Sequence, residues 1–326
     1  MTRHLVTGAA GFIGFHLTRA LAERGDEVVA VDNFIRGERD AGFAALIARP
    51  NVQFVEADLT RREQVEALPT GIDTVWHLAA LNGTQNFYER PFDVVCCSTL
   101  PTIFLAEHYG RSGGLRRFLY AGTSEAYAAT VTRFGWPLPT DESVPLCIDD
   151  PANPRWSYAA SKLHGEIATI QGGNAFGFEW SVARFHNAYG PRMGDKHIIP
   201  DFYDRMKQGR YELYGHADTR SFLYIDDAVR ATIAVGETPA CANEIIHIGS
   251  DEEIVISDLA RRMMALRGVD APLGLHPSPK GSVARRLPDI SKLKALTGYE
   301  RRVTLDRGLE ATARFYLDGE LPAMLD

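Results

Sequence analysis

The stretch RHLVTGAAGFIG at residues 3–14 decides the fold. Its first part, RHLVT, is a short apolar run that predicts a β-strand, and a helical pattern follows the last glycine. Glycines at a strand-to-helix turn let the backbone approach a pyrophosphate closely, and the helix N-terminus favours its negative charge. We therefore predict a dinucleotide-binding turn formed by Gly8, Gly11, Phe12, Ile13 and Gly14.

Five further apolar runs continue the strand pattern along the chain. They are DEVVAVDNF at 26–34, NVQFVEADL at 51–59, DTVWHLAAL at 73–81, RRFLYAGTS at 116–124 and WSVARFHNA at 180–188. Helical stretches separate most of these runs, and strands that alternate with helices form a parallel sheet covered on both faces. We predict an α/β protein with a Rossmann-type, doubly wound parallel sheet.

A carboxylate ends the second predicted strand, at Asp32. A carboxylate at this place accepts hydrogen bonds from the adenosine ribose hydroxyls and repels a 2′-phosphate, which favours NAD over NADP. Arg36 is an alternative ligand for such a phosphate, although a loop or adenine-stacking role suits it better. Asp58, after the third strand, is either an adenine contact or a capping carboxylate.

Beyond about residue 190 the pattern loosens into segments rich in Gly, Pro and charge. Loops of this kind are a usual place for substrate recognition. We expect an NAD-binding domain in residues 1–178. Residues 179–326 should form mainly a smaller C-terminal α/β substrate-binding lobe, with some segments returning to the Rossmann sheet.

The composition excludes several classes of function. The chain has 326 residues, a net charge of −7 and no apolar run long enough to cross a membrane. We do not expect its start to act as a secretory signal, because glycines break the apolar run there. The acidic balance argues against broad nucleic-acid binding. His and Cys show no metal-ligand spacing, and the Asp226-Asp227 pair suits the start of a helix. We expect a cytoplasmic protein without a metal site.

The segment WSYAASKLHGE at 156–166 places Tyr158 and Lys162 four residues apart. Its composition favours a helix, on which these two positions share a face. A phenol with its ordinary pKa of about 10 is a poor base at neutral pH, but a neighbouring cation favours the phenolate. The pair is therefore a candidate proton acceptor. Taken alone, the spacing is more often that of a packed tyrosine beside a solvated lysine.

Together these segments resemble the extended short-chain dehydrogenase/reductase family, and within it the nucleotide-sugar epimerases, dehydratases and decarboxylases. The resemblance covers nearly the whole chain. It rests on TGAAGFIG (7–14), DN (32–33), HLAA (77–80), AGTSEAY (121–127), YAASK (158–162), RFHNAYGPRMG (184–194), RSFLYIDDAV (220–229), IIHIGS (245–250) and RLPDISKLKALTGYE (286–300).

The resemblance implies a role for each matching residue. Tyr158 would remove the proton of a sugar hydroxyl while hydride leaves the same carbon for NAD, Lys162 would hold the nicotinamide ribose, and Thr123 would orient the hydroxyl. The further cofactor contacts implied are Asn33, Leu59, Leu78, Ala79 and Ala80. The substrate contacts implied are Ser124, Asn187, Arg220 and Arg286, with Arg285 as the alternative to Arg286, and the arginines suit a diphosphate.

Glu125 leaves the reaction open. Thr123-Ser124-Glu125 resembles the Thr-Ser-Glu of UDP-glucuronate decarboxylases and GDP-mannose 4,6-dehydratases, but some epimerases of the family also carry Glu here. We expect C4 epimerisation of a nucleotide sugar, because it needs only Thr123, Tyr158, Lys162 and room for the ketose to turn. The alternative is decarboxylation of a nucleotide uronic acid, supported by Thr-Ser-Glu and the loop RMGDKHIIPDF at 192–202. Dehydration at C5 and C6 comes third.

Three positions depart from the family pattern. They are Gly122 where Ser is usual, Ala128 where Gly usually follows the tyrosine, and Ser98 where Asn is usual. Non-enzymatic NAD-sensing proteins on this fold commonly lose the catalytic Tyr or Lys, and both are present here, so we expect an enzyme. Many relatives dimerise through a four-helix bundle. We expect a homodimer built on the helices after Pro101 and from Tyr158.

Overall fold

The computed structural model describes residues 2–194, 197–278 and 284–326. Its strands are β1 (Arg3–Thr7), β2 (Glu27–Asp32), β3 (Val52–Glu56), β4 (Thr74–His77), β5 (Arg117–Thr123), β6 (Glu179–Phe185), β7 (Ala188–Tyr189), β8 (Glu212–Tyr214), β9 (Thr219–Ser221), β10 (Leu223–Tyr224), β11 (Glu244–Ile248), β12 (Glu253–Val255), β13 (Gly274–His276) and β14 (Arg285–Arg286).

Seven of these strands form one parallel sheet in the order β11-β6-β5-β4-β1-β2-β3. The chain starts in the middle of the sheet, builds one side and then builds the other, which is the doubly wound arrangement. The predicted Rossmann-type α/β fold is therefore confirmed. All six strands expected from the sequence are present, and β11 extends the sheet beyond β6.

Helices cover both faces of the sheet. They are α1 (Phe12–Glu23), α2 (Ala41–Ile47), α3 (Arg62–Glu66), α4 (Thr84–Glu89), α5 (Pro91–Ser112), α6 (Ala128–Phe134), α7 (Ser157–Phe176), α8 (Ile198–Lys207), α9 (Ile225–Glu237), α10 (Ile256–Leu266), α11 (Ser291–Thr297) and α12 (Leu305–Ala313). Short 3₁₀ turns at Ser124–Tyr127 and Pro154–Trp156 precede α6 and α7. Among the described residues, no helix has the length and apolar character that a membrane crossing requires.

The central strands are apolar on both faces because each face has its own hydrophobic core. Along β2, Val28 and Ala30 belong to the core that contains α1 and α9, whereas Val29 and Val31 belong to the core that contains α5. Successive side chains of a strand point to opposite faces of the sheet. A strand that is covered on both faces therefore needs a continuous apolar run such as VVAV. All four side chains are buried.

Helix α5 begins earlier than we expected. The sequence suggested a helical run after Pro101, but the helix starts at Pro91 and continues through Pro101. An internal proline removes a helix hydrogen bond and usually interrupts the helix. Here α5 packs along α7, and at Gly110 the approach is so close that a Cβ atom would lie 2.6 Å from the Phe176 side chain. Tertiary packing therefore outweighs the local preference.

Residues after 178 contribute both to the central sheet and to a separate set of small sheets. Strands β6 and β11 belong to the central sheet. The small sheets are the two-stranded β10-β7 and β13-β8 and the three-stranded β12-β9-β14. The division of the chain at residue 178 stays a prediction. Within the loop at 192–202, Asp195 and Lys196 lie outside the described residues.

The carboxyl ends of the central strands meet at one edge of the sheet. Thr7, Asp32, His77 and Thr123 are the last residues of β1, β2, β4 and β5. Open parallel sheets bind their ligands at this edge, next to the point where the strand order reverses, which lies here between β1 and β4. The side chains that follow these strands are therefore candidates for ligand binding.

Candidate active site

The turn between β1 and α1 leaves no room for side chains at its glycines. A Cβ atom on Gly14 would lie 2.0 Å from the carbonyl oxygen of Gly8, and one on Gly11 would lie 3.1 Å from the same oxygen. Gly8 has a φ of +72°, and a Cβ atom there would lie 3.0 Å from the backbone of Ala79. The bare backbone at the N-terminus of α1 suits a pyrophosphate.

The hydrophobic residues predicted to contact the cofactor follow the ends of β1, β3 and β4. Thr7 links the ends of β1 and β4, because its hydroxyl accepts hydrogen bonds from the backbone N–H groups of Leu78 and Ala79 at 3.1 and 3.2 Å. Leu59 is buried. Phe12, Ile13 and Ala80 are partly buried against the neighbouring core residues. Their direct contact with a cofactor stays a prediction.

Asp32 is held in place by backbone donors. Its Oδ2 accepts a hydrogen bond from the Ala10 N–H at 2.9 Å and its Oδ1 accepts one from the Phe34 N–H at 2.7 Å. Burial raises the pKa of Asp32, and these N–H groups oppose the rise. An ionised carboxylate has about four acceptor positions, so it retains capacity for ribose hydroxyls.

The residues around Asp32 take positions that the sequence left open. Arg36 extends away from Asp32 and donates to the carbonyl oxygen of Asn82 at 2.8 Å. Asn33 accepts a hydrogen bond from the backbone within its own loop. Asp58 accepts from both the backbone N–H and the hydroxyl of Thr60, at 3.0 and 2.7 Å, as a turn carboxylate does. Contacts of these residues with a cofactor stay predictions.

Close packing of α7 on β5 brings Tyr158 to the carboxyl end of the sheet. A Cβ atom on Gly165 would lie 2.0 Å from the Tyr120 hydroxyl oxygen, so only glycine allows this approach. Asn153 begins the 3₁₀ turn before α7 and accepts a hydrogen bond from the Arg155 N–H at 3.0 Å. The ring of Tyr158 stacks on Phe87, with centroids 5.2 Å apart.

Burial dominates the electrostatics of the Tyr158–Lys162 pair. Lys162 Nζ donates to the Ala121 carbonyl oxygen at 2.8 Å and lies 5.9 Å from the centre of the Tyr158 ring. Burial raises the pKa of Tyr158 to about 12, although the side chains of Asn82 and Thr123 favour the phenolate. Burial also lowers the pKa of Lys162 to about 7. In the protein alone, desolvation therefore outweighs the lowering of the phenol pKa that we expected from a neighbouring cation.

Thr123, Ser124 and Glu125 follow directly on the end of β5. The Thr123 hydroxyl accepts a hydrogen bond from the Glu125 N–H at 3.3 Å. Arg286 donates to Glu125 Oε1 at 2.7 Å and to the Ser124 hydroxyl at 3.4 Å. Arg285 instead pairs with Glu253 on the surface, at 2.7 Å. The structure thus brings Arg286, and not Arg285, to the predicted catalytic turn.

Arginines hold Glu125 in its charged form. Burial opposes that charge, but the guanidinium groups of Arg286, Arg155 and Arg220 outweigh it, so the pKa of Glu125 lies below its usual range. Arg155 Nη2 lies 3.7 Å from Glu125 Oε2. An ionised carboxylate at this place can accept hydrogen bonds and attract cations, but it cannot donate a proton near neutral pH.

The remaining predicted substrate residues lie on the C-terminal side of the site. Arg220 of β9 stands opposite Arg286 of β14 in the parallel register. It donates to the carbonyl oxygens of Thr219 and Ala284 at 2.7 and 3.1 Å. Asn187 has a φ of +23°, and its side-chain amide donates to the Ser221 carbonyl oxygen at 3.1 Å. Asn187 therefore links the chain that follows β6 to the end of β9.

Sequence reasoning missed two residues of this site. The Asn82 side chain faces the Tyr158 phenol, and the Asn82 backbone carbonyl accepts the Arg36 hydrogen bond. Arg155 faces Glu125. Asn82 follows the HLAAL run and carried no separate signal. Arg155 was visible as a cation in PRW, just before YAASK, but its distance from Glu125 in the sequence concealed their proximity.

The departures from the family pattern have structural consequences. A Cβ atom on Gly122 would lie 2.9 Å from Glu166 Oε1 and 3.0 Å from Arg184 Cγ. These two side chains form a buried ion pair at 2.9 Å, which explains the glycine. Ala128 is buried at the start of α6. The buried Ser98 hydroxyl has no hydrogen-bond partner within the described part of the chain.

Comparison with known proteins establishes the family. Residues 4–249 match the model of the NAD-dependent epimerase/dehydratase family. This chain belongs to that family, and the resemblance to extended short-chain dehydrogenases/reductases is confirmed. It is an NAD-dependent enzyme, and the glycine turn and Asp32 fit that cofactor. Among the described residues, no group of three or more His, Cys, Asp or Glu side chains is arranged to hold a metal ion.

The most similar proteins include decarboxylases and an epimerase. The chain is 31% identical over 329 residues to the UDP-N-acetyl-α-D-glucosaminuronate decarboxylase of Bacillus cytotoxicus, covering 98% of both chains. It is 30% identical to UDP-glucuronic acid decarboxylase 1 of Xenopus tropicalis, over 96% of this chain and 72% of the relative. The structure of UDP-glucuronic acid 4-epimerase from Bacillus cereus, in complex with UDP-glucuronic acid and NAD, matches with a TM-score of 0.83 and 29% identity, over 98% of this chain and 100% of the other.

Proposed function

We propose that this enzyme oxidises C4 of a nucleotide uronic acid and then removes the sugar carboxylate as carbon dioxide. The observation that carries the proposal is Glu125, held ionised between Arg286 and Arg155 directly after Thr123. A cluster of guanidinium groups suits a substrate that is acidic at the sugar as well as at the diphosphate. Two relatives whose names describe decarboxylation of uronic acids support this choice.

The first step removes a hydride from C4 and a proton from the C4 hydroxyl group. The ionised Tyr158 phenolate accepts the proton of the C4 hydroxyl, and the Thr123 hydroxyl orients the C–O bond. A bound NAD would supply the hydride acceptor and a positive nicotinamide charge that favours the phenolate. Lys162, which donates to the Ala121 carbonyl oxygen and lies near the Tyr158 ring, would hold the nicotinamide ribose at this end of the site.

The second step follows from the position of the new ketone. A carboxylate on C5 is β to a ketone on C4, so the electron pair of the bond from C5 to the carboxyl carbon can move into the ketone as carbon dioxide leaves. The resulting enolate oxygen lies where the C4 hydroxyl was, within reach of the protonated Tyr158. A solvent proton then adds to C5, so the ketone at C4 forms again. Return of the hydride to C4, with transfer of the Tyr158 proton to the C4 oxygen, completes a pentose product.

C4 epimerisation of a uronic acid is the second candidate. It shares the first step and needs only Thr123, Tyr158, Lys162 and room for the ketose to turn. The Bacillus cereus neighbour, whose name describes epimerisation of UDP-glucuronic acid, favours it. In this case the ketone is reduced from the other face and the carboxylate remains.

Product analysis tests the proposal. The purified protein is incubated with UDP-glucuronate, UDP-N-acetylglucosaminuronate and UDP-glucose, and the products are identified by mass spectrometry and NMR. Loss of carbon dioxide from a uronic acid supports decarboxylation. An unchanged mass with inversion at C4 would replace it with epimerisation, and loss of water would replace it with dehydration.

Glu125→Gln adds a second test of the same proposal. The variant loses the charge that holds Arg286 and Arg155, so C4 oxidation should persist while the later step stalls. Absorbance of the reduced cofactor and release of carbon dioxide are followed together. Equal rates of both in the variant and the wild type would count against a role of Glu125 after oxidation.

A homodimer stays the expected assembly. Helices α5 and α7 pack side by side, and both carry exposed apolar side chains, with Phe92 77% exposed, Val95 40% and Ile167 51%. A second copy that covers these side chains would form a four-helix bundle. The molar mass in solution at micromolar concentration checks this, and Phe92→Glu should shift it toward the monomer. A monomeric wild type would contradict the expectation.

A further inference from the structure

Glu125 divides the arginines of the site into two groups. Its Oε1 accepts a hydrogen bond from Arg286 at 2.7 Å, whereas its Oε2 lies 3.7 Å from Arg155 Nη2. The first distance is that of a direct hydrogen bond and the second is longer than one. Arg155 is therefore attracted to Glu125 by charge and is the more loosely held of the two.

The two groups come from opposite sides of the site. Arg286 on β14 stands in register with Arg220 on β9, so both belong to the C-terminal strands. Arg155 belongs to the 3₁₀ turn before α7, three residues ahead of Tyr158, and its guanidinium lies 5.7 Å from the centre of the Trp156 ring. The side of the site that carries the candidate base thus has a guanidinium of its own.

Positive charge exceeds negative charge within the ion pairs that Glu125 and Arg220 form. Arg220 lies 3.6 Å from Asp218, and Glu125 lies between Arg155 and Arg286. Three guanidinium groups therefore face two carboxylates. The Arg155 side chain is only 25% exposed, so solvent screens its charge incompletely. The surplus favours an anionic ligand, and its location next to α7 favours an anionic group near the reacting carbon.

The chemistry of a uronic acid places such a group there. Its carboxylate is attached to C5, the neighbour of C4, and the C4 hydroxyl must approach Tyr158 and Thr123 to react. The carboxylate then comes close to Glu125, which repels it. A guanidinium that is only loosely bound to Glu125 can turn its forked donors toward the incoming carboxylate and offset that repulsion.

We infer that Arg155 is a specificity-determining residue that binds the sugar carboxylate and selects acidic over neutral nucleotide sugars. The inference rests on the proposed function for the presence of an acidic sugar, but not for the fate of its carboxylate. Because the ion pair stabilises the carboxylate before carbon dioxide leaves, loss of Arg155 should raise KM more than it lowers kcat.

Equilibrium binding tests the inference without relying on turnover. Dissociation constants of UDP-glucuronate, UDP-glucose and UDP are measured by calorimetry on the NAD-loaded full-length protein, for wild type, Arg155→Met and Arg155→Lys. The matched control is Arg133→Met, which removes an exposed arginine that pairs with Asp149 at 2.8 Å. Thermal denaturation of each variant shows whether it is folded.

In the wild type, UDP-glucuronate should bind more tightly than UDP-glucose. Arg155→Met should reduce that preference at least about tenfold, which corresponds to about 1.4 kcal/mol, and leave UDP binding unchanged. Arg155→Lys should restore part of the preference, because it keeps the charge but not the forked donors. The Arg133→Met control should keep the preference of the wild type.

Two results would overturn the inference. One is a wild type without preference for UDP-glucuronate, and the other is a folded Arg155→Met variant that keeps the full preference. A purely structural role of Arg155 would weaken the binding of all three ligands alike. Failure of the proposed decarboxylation appears separately, in the mass of the product, because a uronic acid epimerase would also need to hold the carboxylate.

Discussion

The cofactor end and the sugar end of this site are built in different ways. The cofactor end consists of backbone within one short segment, Gly8–Gly14, together with Asp32 fixed by the N–H groups of neighbouring loops. The proposed sugar end consists of charged side chains from three distant segments, with Glu125 after β5, Arg155 before α7 and Arg286 on β14.

The difference explains which properties a sequence reveals. A backbone cradle requires glycines at fixed spacing, so it leaves a contiguous pattern, and that pattern identifies the fold and the cofactor. A charge cluster requires only that its members meet in space. Its chemistry depends on distances such as those between Glu125 and the two arginines, which no local pattern records.

The largest expected effect is at the junction of the two ends. Tyr158→Phe removes one oxygen and little volume, so folding and NAD binding should persist while C4 oxidation falls by about 10²–10⁴-fold, the usual contribution of general acid–base catalysis. Single-turnover rates measure this. The control is Tyr109→Phe, which removes a hydroxyl bonded to the Pro69 carbonyl, outside the site. Near wild-type oxidation by Tyr158→Phe would remove Tyr158 from the mechanism.

The cofactor end should respond sharply to one added methyl group. Gly14→Ala would place a Cβ atom 2.0 Å from the Gly8 carbonyl oxygen, so the turn must shift and NAD affinity should fall by tenfold or more, about 1.4 kcal/mol. Calorimetric titration with NAD measures the loss. Gly274→Ala is the control, since its Cβ atom would meet its nearest neighbour at 3.4 Å. If Gly14→Ala and Gly274→Ala bind NAD equally well, the close backbone packing at Gly14 does not determine cofactor binding.

Asp32 should make the cofactor end selective as well. Its carboxylate is fixed by two N–H donors and repels a 2′-phosphate, so NAD should bind at least about tenfold more tightly than NADP. Competition titrations with the two cofactors check this. Equal affinities would shift the recognition to Arg36, although Arg36 extends toward Asn82 in the structure.

Part of this arrangement was predictable and part was not. The parallel sheet followed from apolar runs such as VVAV in β2 that alternate with helical stretches, and the cofactor turn followed from its glycines. The predicted start of α5, after Pro101, was wrong, because packing on α7 overrides the tendency of Pro101 to interrupt a helix. The helix propensities of the local residues do not include the contacts that α5 makes with α7.

The charge cluster shows the same limit at the site. The sequence left Arg285 and Arg286 equivalent, because they are adjacent and chemically identical. The structure distinguishes them through the pairing of β14 with β9. Arg285 then pairs with Glu253 on the surface, whereas Arg286 pairs with Glu125 in the candidate site. Asp226 and Asp227, in contrast, lie in the first turn of α9, as a pair of carboxylates at a helix start suggested.

The last prediction is a pH dependence of stability. Burial lowers the pKa of Lys162 from 10.5 to about 7, so between these values the unfolded chain binds a proton that the folded protein lacks. The stability of the wild type should therefore rise with pH across this window relative to Lys162→Met, because the penalty for burying the charged amine applies fully only below about pH 7. Urea denaturation of both proteins across the window measures it. A constant difference would mean that Lys162 stays charged in the folded protein.

The fate of the sugar carboxylate distinguishes decarboxylation from epimerisation. UDP-glucuronate labelled with carbon-13 in its carboxyl group is incubated with the NAD-loaded enzyme, and the label is followed by NMR. We expect the label to appear as carbon dioxide and bicarbonate while an unlabelled UDP-pentose accumulates, and we expect Glu125→Gln to slow this release more than it slows C4 oxidation. Retention of the label in a hexuronic acid with inverted C4 would contradict decarboxylation and make this enzyme an epimerase.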